Sequence, residues 1–167
     1  MTLPRNRSAD ADYAFLQGPI IAKGGSRIVY EVKGHKDWVL KECTVLNYGP
    51  NEYEAAIYFT AVNLNFSNLI STLAKVHGIS VSGRYLIMEK LIVGTISNGS
   101  TCSVMEELTD RKIANFGKNS AGCVKSLDYA TLKAGVLPSN ITGKVVPHSF
   151  PTDKEIALFN FWATGLS

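Results

Sequence analysis

Long apolar runs are missing from this sequence. No stretch approaches the ~18 residues that a membrane span requires, and Met1–Asp12 lacks the apolar segment of a secretory signal peptide. Paired cysteines are missing too: Cys43, Cys102 and Cys123 are odd in number, widely spaced and without a CxxC pair, which argues against a disulfide framework or a zinc site and leaves reduced, structural thiols. His35, His77 and His148 stand at no recurrent spacing to cysteines or carboxylates, so no metal-ligating or nucleophilic role is assigned to them. Charge of one sign is also scarce. Seventeen Lys and Arg against 14 Asp and Glu give a net charge of +3, spread too evenly for a nucleic-acid-binding face. No internal repeat is present.

What is present fits one folded unit, or two small lobes sharing a cleft: 167 residues, 46% hydrophobic and 19% charged. Residues Met1–Asp12, with little that is apolar, read as a disordered arm, with order beginning near Tyr13. Three β-rich runs, Pro19–Ile21, Ser26–Val32 and Asp37–Leu40, are separated by Gly24-Gly25 and Gly34, and predict a meander of short antiparallel strands. Asn51–Asn63 follows Pro50 without an internal breaker and predicts a helix. Leu73–Ile79 and Arg84–Leu91 add two strands around a Ser80–Gly83 turn, and the Gly, Ser and Asn of Gly94–Thr101 read as a linker.

Beyond the linker, Ser103 and Glu106 have capping-box spacing for a short helix over Ser103–Leu108. Brief strands are predicted around Asn115-Phe116 and Cys123–Leu127, bracketing a Gly117–Gly122 turn. A last helix follows Pro151, with Thr152 and Glu155 as its capping box, Ile156, Phe159, Trp162 and Ala163 on one face, and Gly165 as its stop.

The most informative motif is Asp110-Arg111-Lys112-Ile113-Ala114-Asn115 followed by Leu127-Asp128-Tyr129-Ala130. Asp110 and Asn115 are five positions apart and Asn115 and Asp128 thirteen, which resembles the catalytic-loop and metal-loop spacing of protein kinases. Phosphoryl transfer is catalysed mainly by positioning and charge neutralisation, so it needs metal-binding oxygens beside an acceptor for the attacking hydroxyl's proton. By this resemblance Asp110 takes that proton, and Asn115 and Asp128 offer hard oxygens to Mg²⁺ on the phosphates of ATP.

Upstream elements occur in the same family order. Lys41, closing Val39-Leu40-Lys41, resembles the phosphate-binding lysine. Glu54 resembles its partner on the next helix and is preferred to Glu52, because Glu54, Ile57 and Ala61 share the inward helical spacing. Ile20–Tyr30 resembles a glycine-rich loop, which assigns Gly24, Gly25, Ser26 and Val29 to the nucleotide, with Val39 completing an adenine sandwich. Arg84–Leu91 resembles the fifth strand and hinge, with Met88 at the back of the pocket and the backbone of Glu89 and Leu91 facing the base. Arg27, Arg111 and Lys112 read first as solvated charges, with phosphate or substrate contact as the alternative.

The implied fold is α+β and protein kinase-like. It comprises an N-lobe at about 13–89 with a five-stranded antiparallel sheet and one helix, a hinge at about 89–93, and a strongly reduced C-lobe at about 94–167. The pattern departs from the family in several places. Of the loop's three glycines only Gly24 remains, Ala22 and Arg27 standing at the others. Leu108-Thr109 replace the His-Arg before the catalytic Asp, Tyr129-Ala130 replace Phe-Gly, and no Ala-Pro-Glu segment follows. Such a pared-down chain is similar to the HopBF family of type III secreted effectors. That resemblance implies a monomeric Ser/Thr protein kinase, delivered by bacteria into the host cytoplasm, acting on the ninety-kilodalton heat-shock chaperone with no membrane or nucleic-acid partner. A small-molecule phosphotransferase of the same fold and an inactive kinase-like binding module are the alternatives.

Overall fold

Alternating β-branched and aromatic residues build the first half into a sheet. The computed structural model describes residues 2–164, without the side chains of Phe161, Trp162 and Thr164, so the expected roles of Trp162 and Gly165 lie outside the described residues. Strands β1 (Gln17–Lys23), β2 (Arg27–Val32), β3 (Trp38–Cys43), β4 (Val76–Ile79) and β5 (Tyr85–Glu89) form one five-stranded antiparallel sheet in the order β1-β2-β3-β5-β4. Register places Val29 opposite Lys41, and Val39 opposite Met88. Cross-strand partners share a face, so these four side chains line one side of the sheet.

Helix α2 (Gly49–Asn63) packs on that inner side and buries Glu54, Ile57 and Ala61, as the predicted spacing requires. A short helix α3 (Ser67–Thr72) follows, which the sequence did not announce. The main core runs from Ala55, Ile57 and Ala61 through Leu86 and Met88 to Met105, Phe116, Tyr129 and Phe150, so the two halves of the chain share one apolar interior.

The outer side of the sheet holds a second cluster, where Leu40, Tyr85 and Ile87 are covered by Tyr13 and Leu16. Tyr13 belongs to the short helix α1 (Asp10–Ala14). The arm expected to be disordered is therefore docked, a correction with a plain cause: β4 is an edge strand whose backbone groups need partners. Arg7 N–H donates to Ile79 O at 2.7 Å, Ile79 N–H donates to Asn6 Oδ1 at 3.0 Å, and Val81 N–H donates to Ser8 O at 2.9 Å. Arg7 also clasps Glu52 of α2 with two bonds of 2.8 and 2.9 Å.

In the second half, β6 (Thr101–Met105) pairs with β9 (Val145–Ser149), and β7 (Phe116–Lys118) pairs with β8 (Val124–Ser126). The helix expected over Ser103–Leu108 is replaced by β6. Pairing with the Val145-Val146 segment buries Val104 and Met105 and outweighs a local capping signal. Helix α4 (Asp153–Thr164) does carry its capping box: Thr152 N–H donates to Glu155 Oε2 at 2.8 Å, and Glu155 N–H donates back to Thr152 Oγ1 at 3.3 Å. Ile156, Leu158 and Phe159 on it are exposed, Phe159 by 76%. No described helix is long and apolar enough to cross a membrane.

Gly78 on β4 sets how closely the arm can lie. A Cβ there would stand 2.8 Å from Tyr13 Oη and 3.2 Å from Asn6 Cα. Gly78→Ala is expected to cost about 1–3 kcal/mol by overpacking, and to speed tryptic cleavage after Arg5 and Arg7. Unchanged proteolysis would mean that the arm docks without this close approach.

Candidate functional site

Lys41 lies on the inner face of β3, where only 4% of it is exposed, and burial of its ammonium demands an anion. Glu54, fully buried on α2, supplies one: Lys41 Nζ lies 2.9 and 3.2 Å from its two carboxylate oxygens. Lys41 Nζ also donates to Leu127 O, one residue before Asp128. The preference for Glu54 over Glu52 holds for a structural reason, since Glu52 is taken by Arg7 on the opposite side of α2.

What aims Glu54 is a residue that the sequence motifs do not single out, Asn51. Asn51, fully buried in the first turn of α2, donates through Nδ2 to the carbonyls of Lys41 and Gly83 at 3.2 Å and of Arg84 at 2.7 Å. It staples the helix start to β3 and to the β4–β5 turn, and Glu54 then falls one turn further along, facing Lys41. The signal available in the sequence was an amide at a helix start, but its partners are distant in the chain.

Arg27 was also misread. It is 9% exposed instead of solvated, with Nη1 2.8 Å from Glu54 Oε2 and Nη2 2.8 Å from Asp128 Oδ1. The Nη1 contact is an ion contact without hydrogen-bond alignment. Strand alternation was the missed clue: Arg27 lies two residues before Val29 and so shares its face.

Lys41, Glu54, Arg27 and Asp128 thus form one partly to fully buried set of two cations and two anions. Burial pushes the Lys41 ammonium pKa down, and Glu54 only partly offsets this. Burial also opposes charge on Arg27, but Glu54 and Asp128 outweigh it and the guanidinium pKa is raised. For Asp128 burial acts upward, yet Arg27 and Lys41 outweigh it and hold the carboxyl below its ordinary value.

Asp110 and Asn115 join this set through the backbone. Asn115, buried at the end of the Ile113–Asn115 turn, donates from Nδ2 to Asp110 O at 3.1 Å, and its own carbonyl accepts Leu127 N–H at 2.9 Å. The Asp110 carboxylate is half-exposed and pairs with Lys112 at 3.0 Å. Arg111 turns away, donating to the carbonyls of Leu108 at 2.7 Å and Glu106 at 2.9 Å, and so has a structural role. Tyr129, after Asp128, is fully buried and donates from its hydroxyl to Ala74 O at 3.0 Å, which anchors the Asp128 segment.

Beside the charged set lies an apolar cleft of about 160 Å³, lined by Val29, Val39, Lys41, Met88, Glu89 and Leu91, with Ala22 and Leu127 among its other walls. Gly24, Gly25 and Ser26 do not line it. They form the β1–β2 turn, where Gly24 N–H donates to Arg27 O at 2.8 Å and a Cβ on Gly25 would meet open space. Larger concavities exist, one of about 570 Å³ beside Thr2–Arg5 and one of about 590 Å³ at the β2–β3 turn, but neither is lined by any of the four charged residues. Among the described residues no three His, Cys, Asp or Glu side chains group to hold a metal by themselves.

Comparison with protein-family models gives no match, and no curated protein is similar enough to count as a relative.

Two outcomes test this geometry. Glu54→Ala leaves two buried cations short of their anion and is expected to cost about 3–5 kcal/mol, whereas Glu52→Ala removes a part-exposed pair worth at most about 1 kcal/mol. Urea unfolding of the two variants checks the contrast. The depressed folded-state pKa of Asp128 means that its pairing stabilises the fold above the unfolded carboxyl value of ~3.9 and is lost as pH falls through the lower, folded value. Asp128→Asn is therefore expected to melt below wild type at pH 7, with the gap closing in acid. A pH-independent gap would contradict the ion pairing.

Proposed function

We propose that this chain is a minimal protein kinase of the HopBF type, transferring the γ-phosphoryl group of Mg-ATP to a Ser/Thr hydroxyl of a host protein. The observation that carries this is the buried Lys41–Glu54 pair, bonded to the backbone beside Asp128 and set at the wall of an apolar cleft. An inner-face lysine clamped by a helix glutamate is the arrangement by which such enzymes hold ATP phosphates. The five-stranded sheet with α2 then corresponds to the N-lobe at about 13–89, and the segment at about 94–167 to a reduced C-lobe after a hinge at about 89–93.

The donor set fits the implied nucleotide and ion. The cleft volume of about 160 Å³ is below the ~300–1,000 Å³ typical of a whole drug-sized ligand, which suits a flat purine ring with its phosphates outside. Val29 and Val39 would flank the ring, and Met88 would close the back. Mg²⁺ keeps several waters and needs only one or two protein oxygens besides phosphate, so the lack of a three-ligand cluster among the described residues is compatible with Asp128 and Asn115 as its holders. When bound, ATP would supply the phosphoryl group and Mg²⁺ would offset its negative charge.

The protein's own groups do the remainder. Lys41 holds phosphate oxygens, kept in place by Glu54. Asp110, half-exposed, accepts the hydrogen bond of the incoming hydroxyl, orients it and takes its proton. Lys112, exposed and 3.0 Å from Asp110 Oδ2, is a cation within reach of the same substrate group. Delivery into the host cytoplasm and action on the ninety-kilodalton heat-shock chaperone rest on the family resemblance alone.

Incubation with γ-labelled ATP, Mg²⁺ and the purified chaperone or a eukaryotic lysate tests the proposal. Wild type is expected to label a protein band, and Asp110→Ala to lose about 10²-fold or more of the rate, the scale of general-base catalysis, while still binding ATP. Lys41→Met is expected to be inactive while keeping a folded circular dichroism spectrum at a lower melting temperature, since buried Glu54 retains only Arg27 as its cation. Labelling by Asp110→Ala at the wild-type rate would end the assignment.

A further inference from the structure

Arg27 opens β2 at a place where the glycine-rich pattern has no side chain at all, and its guanidinium fills the space between two carboxylates from different elements. Of those two, Glu54 has other partners: Lys41 contacts both of its oxygens, and the Tyr129 N–H lies 3.4 Å from Oε1. Among the described residues, the cation in contact with the Asp128 carboxylate is Arg27. Asp128 is also the less buried of the two, its side chain 34% exposed against none of Glu54, so it is the carboxylate that an ion from solvent can reach.

The set holds Lys41 and Arg27 against Glu54 and Asp128 and is neutral as it stands. A divalent ion on Asp128 would sit within a few ångströms of a guanidinium that already lies 2.8 Å from Oδ1, and the two cations would repel at that separation. We infer that Arg27 is a positioning residue that occupies Asp128 in place of a divalent cation and must be displaced from that carboxylate before the ion binds. Displacement leaves the guanidinium beside Glu54, and phosphate oxygens arriving with the ion would give it a second anion. Ion binding is thereby coupled to arrival of the phosphates, and the ion alone binds weakly.

This deepens the kinase reading and rests on it for the ion's purpose, but the displacement can be measured without nucleotide. Mn²⁺, as a paramagnetic probe, is titrated into the full chain and the free ion is read by electron paramagnetic resonance. Arg27→Met is expected to bind Mn²⁺ about tenfold or more tightly than wild type, since one adjacent positive charge is gone. Arg27→Lys, which keeps the charge, stays near wild type, and Arg27→Met combined with Asp128→Asn loses the gain. Equal or weaker binding by Arg27→Met overturns the inference. Should Arg27→Met fail to fold, the side-chain NMR signal of Arg27 in wild type provides the test: it should shift saturably with Mg²⁺ and stay put in Asp128→Asn, and a signal unmoved in wild type overturns the inference. ATP binding measured alongside separates the two ideas. Tighter Mn²⁺ binding without any Mg-ATP binding removes the kinase reading only, and Mg-ATP binding without an Arg27 effect removes this inference only.

Discussion

Buried charge is the constraint around which this molecule is organised. Lys41 and Glu54 lie inside a protein whose interior would penalise either one alone by several kcal/mol. Each is tolerable because the other is within 3 Å, and because Arg27 and Asp128 complete a neutral set. The four residues come from β2, β3, α2 and the segment after β8. Satisfying them therefore ties the sheet, its helix and the second half of the chain into one arrangement, which apolar packing alone would fix less specifically.

Holding that set in register requires further polar work, and the structure shows where it is done. Asn51 bonds three carbonyls from two separate segments and fixes the start of α2. Arg7 grips the same helix from the far side through Glu52. Tyr129 anchors the stretch that presents Asp128, and Asn115 links that stretch to Asp110. The carboxylates differ in setting: Asp110 is half-exposed and paired with Lys112, whereas Glu54 is fully buried and held by Lys41 and Arg27.

Much of this was legible in the residues themselves, because local rules dominated where it was. Strands β1 to β5 follow from alternation and glycine punctuation, and α2 from an unbroken run after Pro50. The inward spacing of Glu54, Ile57 and Ala61 singled out the glutamate that faces Lys41. Where partners were remote in sequence, reading failed. A capping-box spacing at Ser103 and Glu106 gave way to pairing with Val145–Ser149, some 40 residues on. The polar arm carried no sign that the edge of β4 would bind it, and Arg27 resembled a surface charge until the sheet face it occupies was known. In each case the deciding energy was tertiary.

Docking of the arm has one more consequence, for how the sheet meets other molecules. A five-stranded open sheet has two rims, and unpaired rims invite association of one chain with the next. The rim at β4 is occupied by the chain's own first residues. The rim at β1 exposes Ile20 and Ile21, but Pro19 removes a donor there and two register irregularities bend the strand, so it makes a poor template for another strand. Both borders of the sheet are thus guarded against self-association, one by occupation and the other by distortion.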